Sequence, residues 1–240
     1  MNKKILSFIL LILVWFLAAL SIDNDVILPG PLAVTGRLLS LLTEFSFYQS
    51  LVATFIRAHL AFIASLLLGF GLAFVSYRFP MAEAMLSPWI KCLQTIPQIS
   101  FIILLLFWFS QEKSILLVVI LMAFPIAYFN ELEGLKAIEQ DYRDIIMISH
   151  QSWWYNLRKA YLPLTKSSLL ATIKAGLPLS LKVTVMSEVL IHTNSGIGRM
   201  LSMARANIDM VGVFAWTIAL VVLVSCETHF ISVCFSKKAS

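Results

Sequence analysis

The chain has 240 residues, 60% of them hydrophobic and 13% charged, with a mean hydropathy of +0.88 and a formal net charge of +5. Soluble domains run near half apolar and a quarter charged, so an ordinary cytosolic enzyme is excluded. The net charge comes with no basic run longer than the pairs Lys3-Lys4, Arg158-Lys159 and Lys237-Lys238, so nucleic acid is not an expected partner.

Residues 5–22, 58–77, 92–111, 114–130 and 210–226 hold no Asp, Glu, Lys or Arg, and 172–192 holds only Lys174, Lys182 and Glu188. Some 20 apolar residues cross roughly 30 Å of hydrocarbon, so six spanning helices are predicted. Lipid requires the backbone to satisfy its own hydrogen bonds, and these Leu, Ile, Phe and Ala runs lack the alternation of barrel strands. The expected fold class is an all-α integral membrane protein, a single domain over 1–240.

The first stretch follows Met-Asn-Lys-Lys, as a signal peptide would, but it is longer than most signal cores and Ala19-Leu20-Ser21 is a poor cleavage site. A retained membrane helix is expected. Next, Leu28-Pro29-Gly30-Pro31 predicts a rigid turn, with Pro31 opening a short surface helix that carries Leu32, Leu38, Leu39 and Leu42 as a lid.

Between the fourth and fifth spans, residues 131–168 are far longer than a bundle turn needs. Residues 131–148 read as a charged helix, and Ser152 is placed to cap a second helix ended by Pro163. Trp154, Leu157 and Tyr161 recur at helical spacing beside Trp153, Arg158 and Lys159. Such a stripe suits either the inner leaflet or a docking contact. After the fifth span, Gly196-Ile197-Gly198 reads as a flexible turn, too short for a nucleotide loop. Pro97, Pro125 and Pro178 lie within predicted spans, where proline is tolerated. Cys92, Cys226 and Cys234 lack metal-ligand spacing, so no metal is expected.

Putting the N-terminus inside assigns eleven Lys and Arg to the cytoplasm: Lys3, Lys4, Arg78, Lys91, Lys136, Arg143, Arg158, Lys159, Lys166, Lys237 and Lys238. Arg37, Lys113, Arg199 and Arg205 then lie outside, with Arg57, Lys174 and Lys182 at membrane depth. Both termini are expected in the cytoplasm.

The chain resembles the inner-membrane permease subunits of binding-protein-dependent ABC importers, especially the branch handling nitrate, sulfonates, taurine and thiamine precursors. The resemblance rests on Leu28-Pro29-Gly30-Pro31, Arg57 with Gly69 and Gly71, Leu93-Gln94-Thr95-Ile96-Pro97 through Phe107-Trp108-Phe109, Phe124-Pro125-Ile126, and Glu188 with Ser195-Gly196-Ile197-Gly198. Counting back from Leu162-Pro163, the cytoplasmic EAA loop of that family aligns Asp144-Ile145-Ile146 with its Glu-Ala-Ala and His150 with its Gly, both departures. The resemblance implies the type I (MetI-like) permease fold, with a coupling loop at about 131–168 whose contact with the ATPase uses Asp144, His150, Trp153, Trp154, Leu157, Arg158, Tyr161 and Pro163. Pro97, Lys182 and Glu188 become candidate pathway residues.

It also implies a multi-pass protein of the bacterial inner membrane that is not itself an enzyme. No Gly-x-x-x-x-Gly-Lys-Ser/Thr loop occurs, so this chain is expected to bind no cofactor, with ATP and Mg held by separate ATPase subunits. The other implied partners are membrane lipid, a second permease subunit, identical or related, and an external solute-binding protein delivering a small solute, such as a sulfonate, nitrate or a thiamine precursor. A hydrolase using Ser195 with His192 or His229 is disfavoured, since Asn194-Ser195-Gly196 is no nucleophile elbow. An ion-coupled secondary transporter using Lys182 and Glu188 is the stronger rival, but leaves the long loop unexplained.

Overall fold

The computed structural model describes residues 3–139, 142 and 151–236. Their regular elements are all helical: α1 (Lys3–Ile22), α2 (Pro31–Leu41), α3 (Phe45–Arg78), α4 (Pro80–Thr95), α5 (Gln98–Trp108), α6 (Gln111–Lys136), α7 (Trp153–Asn156), α8 (Leu162–Leu164), α9 (Lys166–Ile191), α10 (Ile197–Ala206) and α11 (Met210–Ser236). A wide π turn, Leu157–Tyr161, joins α7 to α8. The all-α membrane fold expected from composition is the one observed.

Four helices, α3, α6, α9 and α11, are long and apolar enough to cross a membrane, and α1 adds a shorter apolar stretch, Ile9–Ile22. The third predicted span is not one helix. It breaks between α4 and α5 with a bend of 100°. Proline drives the preceding residue out of the α region, and Ile96 accordingly sits at φ −76°, ψ 127°, ending α4 one residue before Pro97 opens α5. The charged segment after the fourth span also differs from expectation, since α6 runs on without interruption to Lys136, which pairs with Glu83 at 2.6 Å.

The chain divides into two compact units, Met1–Thr54 with Glu188–Glu227, and Phe55–Ser187 with Thr228–Ser240. In the first, Trp15 of α1 stacks on Phe214 of α11 at 5.8 Å, and its indole N–H donates to the Pro29 carbonyl at 3.1 Å. Pro31 does open α2, but the helix is turned over from the expected lid. Val34 and Leu41 are buried, whereas Leu32, Leu39 and Leu42 are exposed, because the buried face follows i, i+7 from Val34.

In the second unit, Ala73, Ile90, Tyr128, Leu132, Leu135 and Ile138 form one apolar cluster, and Phe62, Ala123, Leu177 and Ile231 another. Gly69 lets α3 approach α6 closely, since a Cβ there would collide with the Ala127 side chain and the Tyr128 backbone nitrogen. At the heart of the first cluster, the fully buried Tyr128 shares its hydroxyl with Ser76 at 2.8 Å and Ser87 at 3.2 Å.

Candidate functional site

The segment entering α9 is built by local chemistry. Ser152 caps α7 as expected, its hydroxyl accepting the Tyr155 N–H at 3.3 Å. Pro163 does not end the helical path. The turn before it widens instead, with the Leu162 N–H bonding the Leu157 carbonyl five residues back, and the Thr165 N–H to Tyr161 carbonyl bond at 2.9 Å leads into α9. A π turn displaces the backbone carbonyls that a proline ring would strike, and so admits Pro163 within a helical run.

Tyr161 is turned inward against Phe74 at 5.2 Å and Tyr77 at 6.1 Å, while Leu157 is half-buried. Tyr155, Arg158, Lys159, Leu162 and Pro163 form the exposed side. Asp144 and His150 lie outside the described residues, as do the side chains of Trp153 and Trp154.

A buried carboxylate fixes where this segment stands. Glu131 of α6 is fully buried and accepts hydrogen bonds from Ser168 at 3.1 Å and Thr172 at 3.0 Å, both in the first turns of α9. Gly134 leaves room for the same Ser168 side chain. In the sequence Glu131 read as the first loop charge; only the two hydroxyls of 168 and 172, one turn apart, hinted at a polar partner.

At the α4–α5 break, Pro97 is exposed, and the next side chain, Gln98, donates from Nε2 to the Val183 carbonyl of α9 at 3.2 Å. The broken span is thus tied to the helix position beside Lys182. Lys182 is exposed and makes no ion pair or hydrogen bond among the described residues.

Glu188, the third expected pathway residue, is wholly buried. It accepts from the Thr54 hydroxyl, at 2.9 Å to Oε2 and 3.0 Å to Oε1, and from the Gly198 N–H at 2.9 Å. The Ile197 N–H donates in turn to Thr54 Oγ1 at 2.8 Å. One carboxylate and one hydroxyl therefore satisfy two free N–H groups at the start of α10, with the negative charge at the positive end of the helix. Gly196 is required there, because its φ of +121° disfavours other residues and a Cβ would run into the carboxylate. The expected flexible turn is a helix start held by a buried acid, and the intervening segment holds a ten-residue helix not anticipated from sequence.

Arg57, placed at membrane depth by sequence, is paired rather than free. It forks onto Glu112 at 2.7 Å and 2.6 Å. No cluster of His, Cys, Asp or Glu among the described residues is arranged to hold a metal ion.

The family described as the binding-protein-dependent transport system inner membrane component matches residues 65–231, a stretch running from within α3 to within α11. The chain belongs to this family. The permease is thereby a membrane component of an ABC importer, a class that works with an ATPase and a solute-binding protein. It is similar to the formylaminopyrimidine transport permease protein ThiX of Halalkalibacterium halodurans, with 26% identity over 88% of this chain and 84% of the relative. The taurine transport system permease protein TauC of Escherichia coli is 25% identical over 82% of this chain and 73% of its own. The riboflavin transport system permease protein RibX of Chloroflexus aurantiacus is 28% identical over 90% and 82%.

Proposed function

We propose that this permease is the membrane-spanning subunit of an ATP-driven importer, acting as a single transmembrane domain that forms the pathway for a small solute brought by an external binding protein. It pairs with a second permease subunit, identical or related, and the ATP and Mg are held by separate ATPase subunits. The observation that carries the reading is the family match across residues 65–231. The segment from Ser152 to Leu164 serves as the ATPase contact, using Tyr155, Leu157, Arg158, Leu162 and Pro163, with Trp153 and Trp154 assigned to it by their place in the sequence and Asp144 and His150 preceding it. Tyr161 and Glu131 position the segment instead of meeting the partner, because each is held within the chain.

The pathway runs along the α4–α5 break and α9, past Pro97 and Lys182. A cation near the middle of a spanning helix costs roughly 2.5–3.5 kcal/mol on insertion scales, which opposes placing Lys182 against lipid. Glu188 is a positioning residue that holds α10. Its oxygens are occupied by Thr54 and Gly198, so nothing favours the ion-coupled reading.

Co-purification with the ATPase tests the proposal. Aromatic anchors commonly cost more than about 2 kcal/mol on truncation, so a Tyr155→Ala, Leu162→Ala permease should lose roughly thirtyfold or more in ATPase affinity and lose uptake in proportion. Unchanged affinity and uptake would remove this segment from the contact, and absence of any ATPase partner for the unaltered chain would end the importer reading.

A further inference from the structure

Lys182 stands on a ridge of α9 whose members recur every four residues, Lys174, Pro178, Lys182 and Met186, each exposed or half-buried, whereas Leu177, Leu181, Val183 and Val185 are buried. Neither lysine has a hydrogen-bond or ion-pair partner among the described residues. Lys182 lies nine residues before Ile191, about 14 Å from the nearer helix end. Cα–Cβ bonds lean toward a helix N-terminus, so its stem leads back into the span and away from that end. Lys174 leans toward its own nearer end and can snorkel out; Lys182 has no such exit.

Within 172–192 the sole carboxylate is Glu188, which is buried and already hydrogen-bonded, so Lys182 has no partner on its own helix. Beside Lys182 the Val183 carbonyl receives Gln98, at the break where Pro97 is exposed. Non-helical backbone at membrane depth persists only inside protein or against a water-filled cavity, and in secondary transporters such discontinuous helices line the solute site. A cation with no partner among the described residues, beside an exposed helix break, favours the water-filled alternative.

We propose that this ridge of α9 is an electropositive wall of the translocation pathway and that the solute it serves is an anion, drawn to Lys182 with Lys174 adding to the same potential. The inference rests on the permease reading above. Its test needs no knowledge of the solute. Cys92, Cys226 and Cys234 are replaced by Ser, and Met186→Cys places one thiol a helical turn beyond Lys182. The permease, assembled with its ATPase in membranes, is treated with water-soluble methanethiosulfonates of equal reach, one bearing a sulfonate and one a trimethylammonium group.

After correction for their rates with a free thiol, the sulfonate reagent should react the faster. The added change Lys182→Met should lower the anion-to-cation rate ratio about tenfold or more, Lys182→Arg should preserve it, and Lys174→Met should lower it less. A ratio indifferent to Lys182→Met overturns the proposal. So does failure of both reagents to react in a complex that still holds its ATPase, since the ridge then faces lipid or protein while the importer reading stands. Loss of assembly in Lys182→Met but not in Lys182→Arg also overturns it, by assigning the lysine to a carboxylate of a partner subunit, identical or related.

Discussion

Replacing Glu188 by Ala would strand the Thr54 hydroxyl and the Gly198 N–H in a buried site, and a stranded buried donor costs about 1–3 kcal/mol. A loss on the order of 3 kcal/mol is expected, seen as a lower unfolding temperature of the purified permease. Thr54→Val should destabilise nearly as much and Thr54→Ser hardly at all, because Ser keeps the oxygen that both receives Ile197 and serves Glu188. Equal melting of all three variants would show that the hydrogen bonds do not hold α10. The residue types at 188 and 196 were legible in the sequence, but their partnership was not: Thr54 lies 134 residues from Glu188, and no local pattern links them. The same holds for Arg57 and Glu112, 55 residues apart, and for Glu131, whose hydroxyl partners belong to another helix.

For an element, the α4–α5 break offers a direct measurement. Spin labels at Met85→Cys and Phe107→Cys, both exposed, should lie about 20 Å apart across a 100° bend and about 33 Å apart if the two helices joined straight, at 1.5 Å per residue. Pro97→Ala frees Ile96 from its pre-proline restriction and restores a backbone donor, so the distance distribution should shift toward the longer value while the protein still inserts. A distribution unchanged by Pro97→Ala would place the cause in packing, with Gln98 on Val183 the leading contact. Proline marked the possible break in the sequence. Its outcome depended on neighbours, as Pro125 shows by remaining inside the continuous α6. At Pro163 a widened turn took the place of the expected stop, and the inward contact of Tyr161 with Phe74 was not legible from spacing.

At the scale of the molecule, the eleven-to-four distribution of Lys and Arg predicts that Ser152 faces the cytoplasm while Asp25 and Asn194 face outward. All three are exposed, so single cysteines in a cysteine-free permease should label from opposite sides; labelling of position 152 from outside intact cells would reverse the orientation. Composition and charge gaps alone determined an all-helical membrane protein and the location of its apolar stretches, since the cost of putting charge in lipid acts on each residue separately. The long loop and its motifs were enough to point to the permease family. Only the tertiary structure decided which apolar stretch is broken, which face of α2 is buried, and that Glu188 is a latch while Lys182 has no partner among the described residues. Those outcomes depend on contacts between residues far apart in sequence, and burial or pairing arises only when the helices are packed.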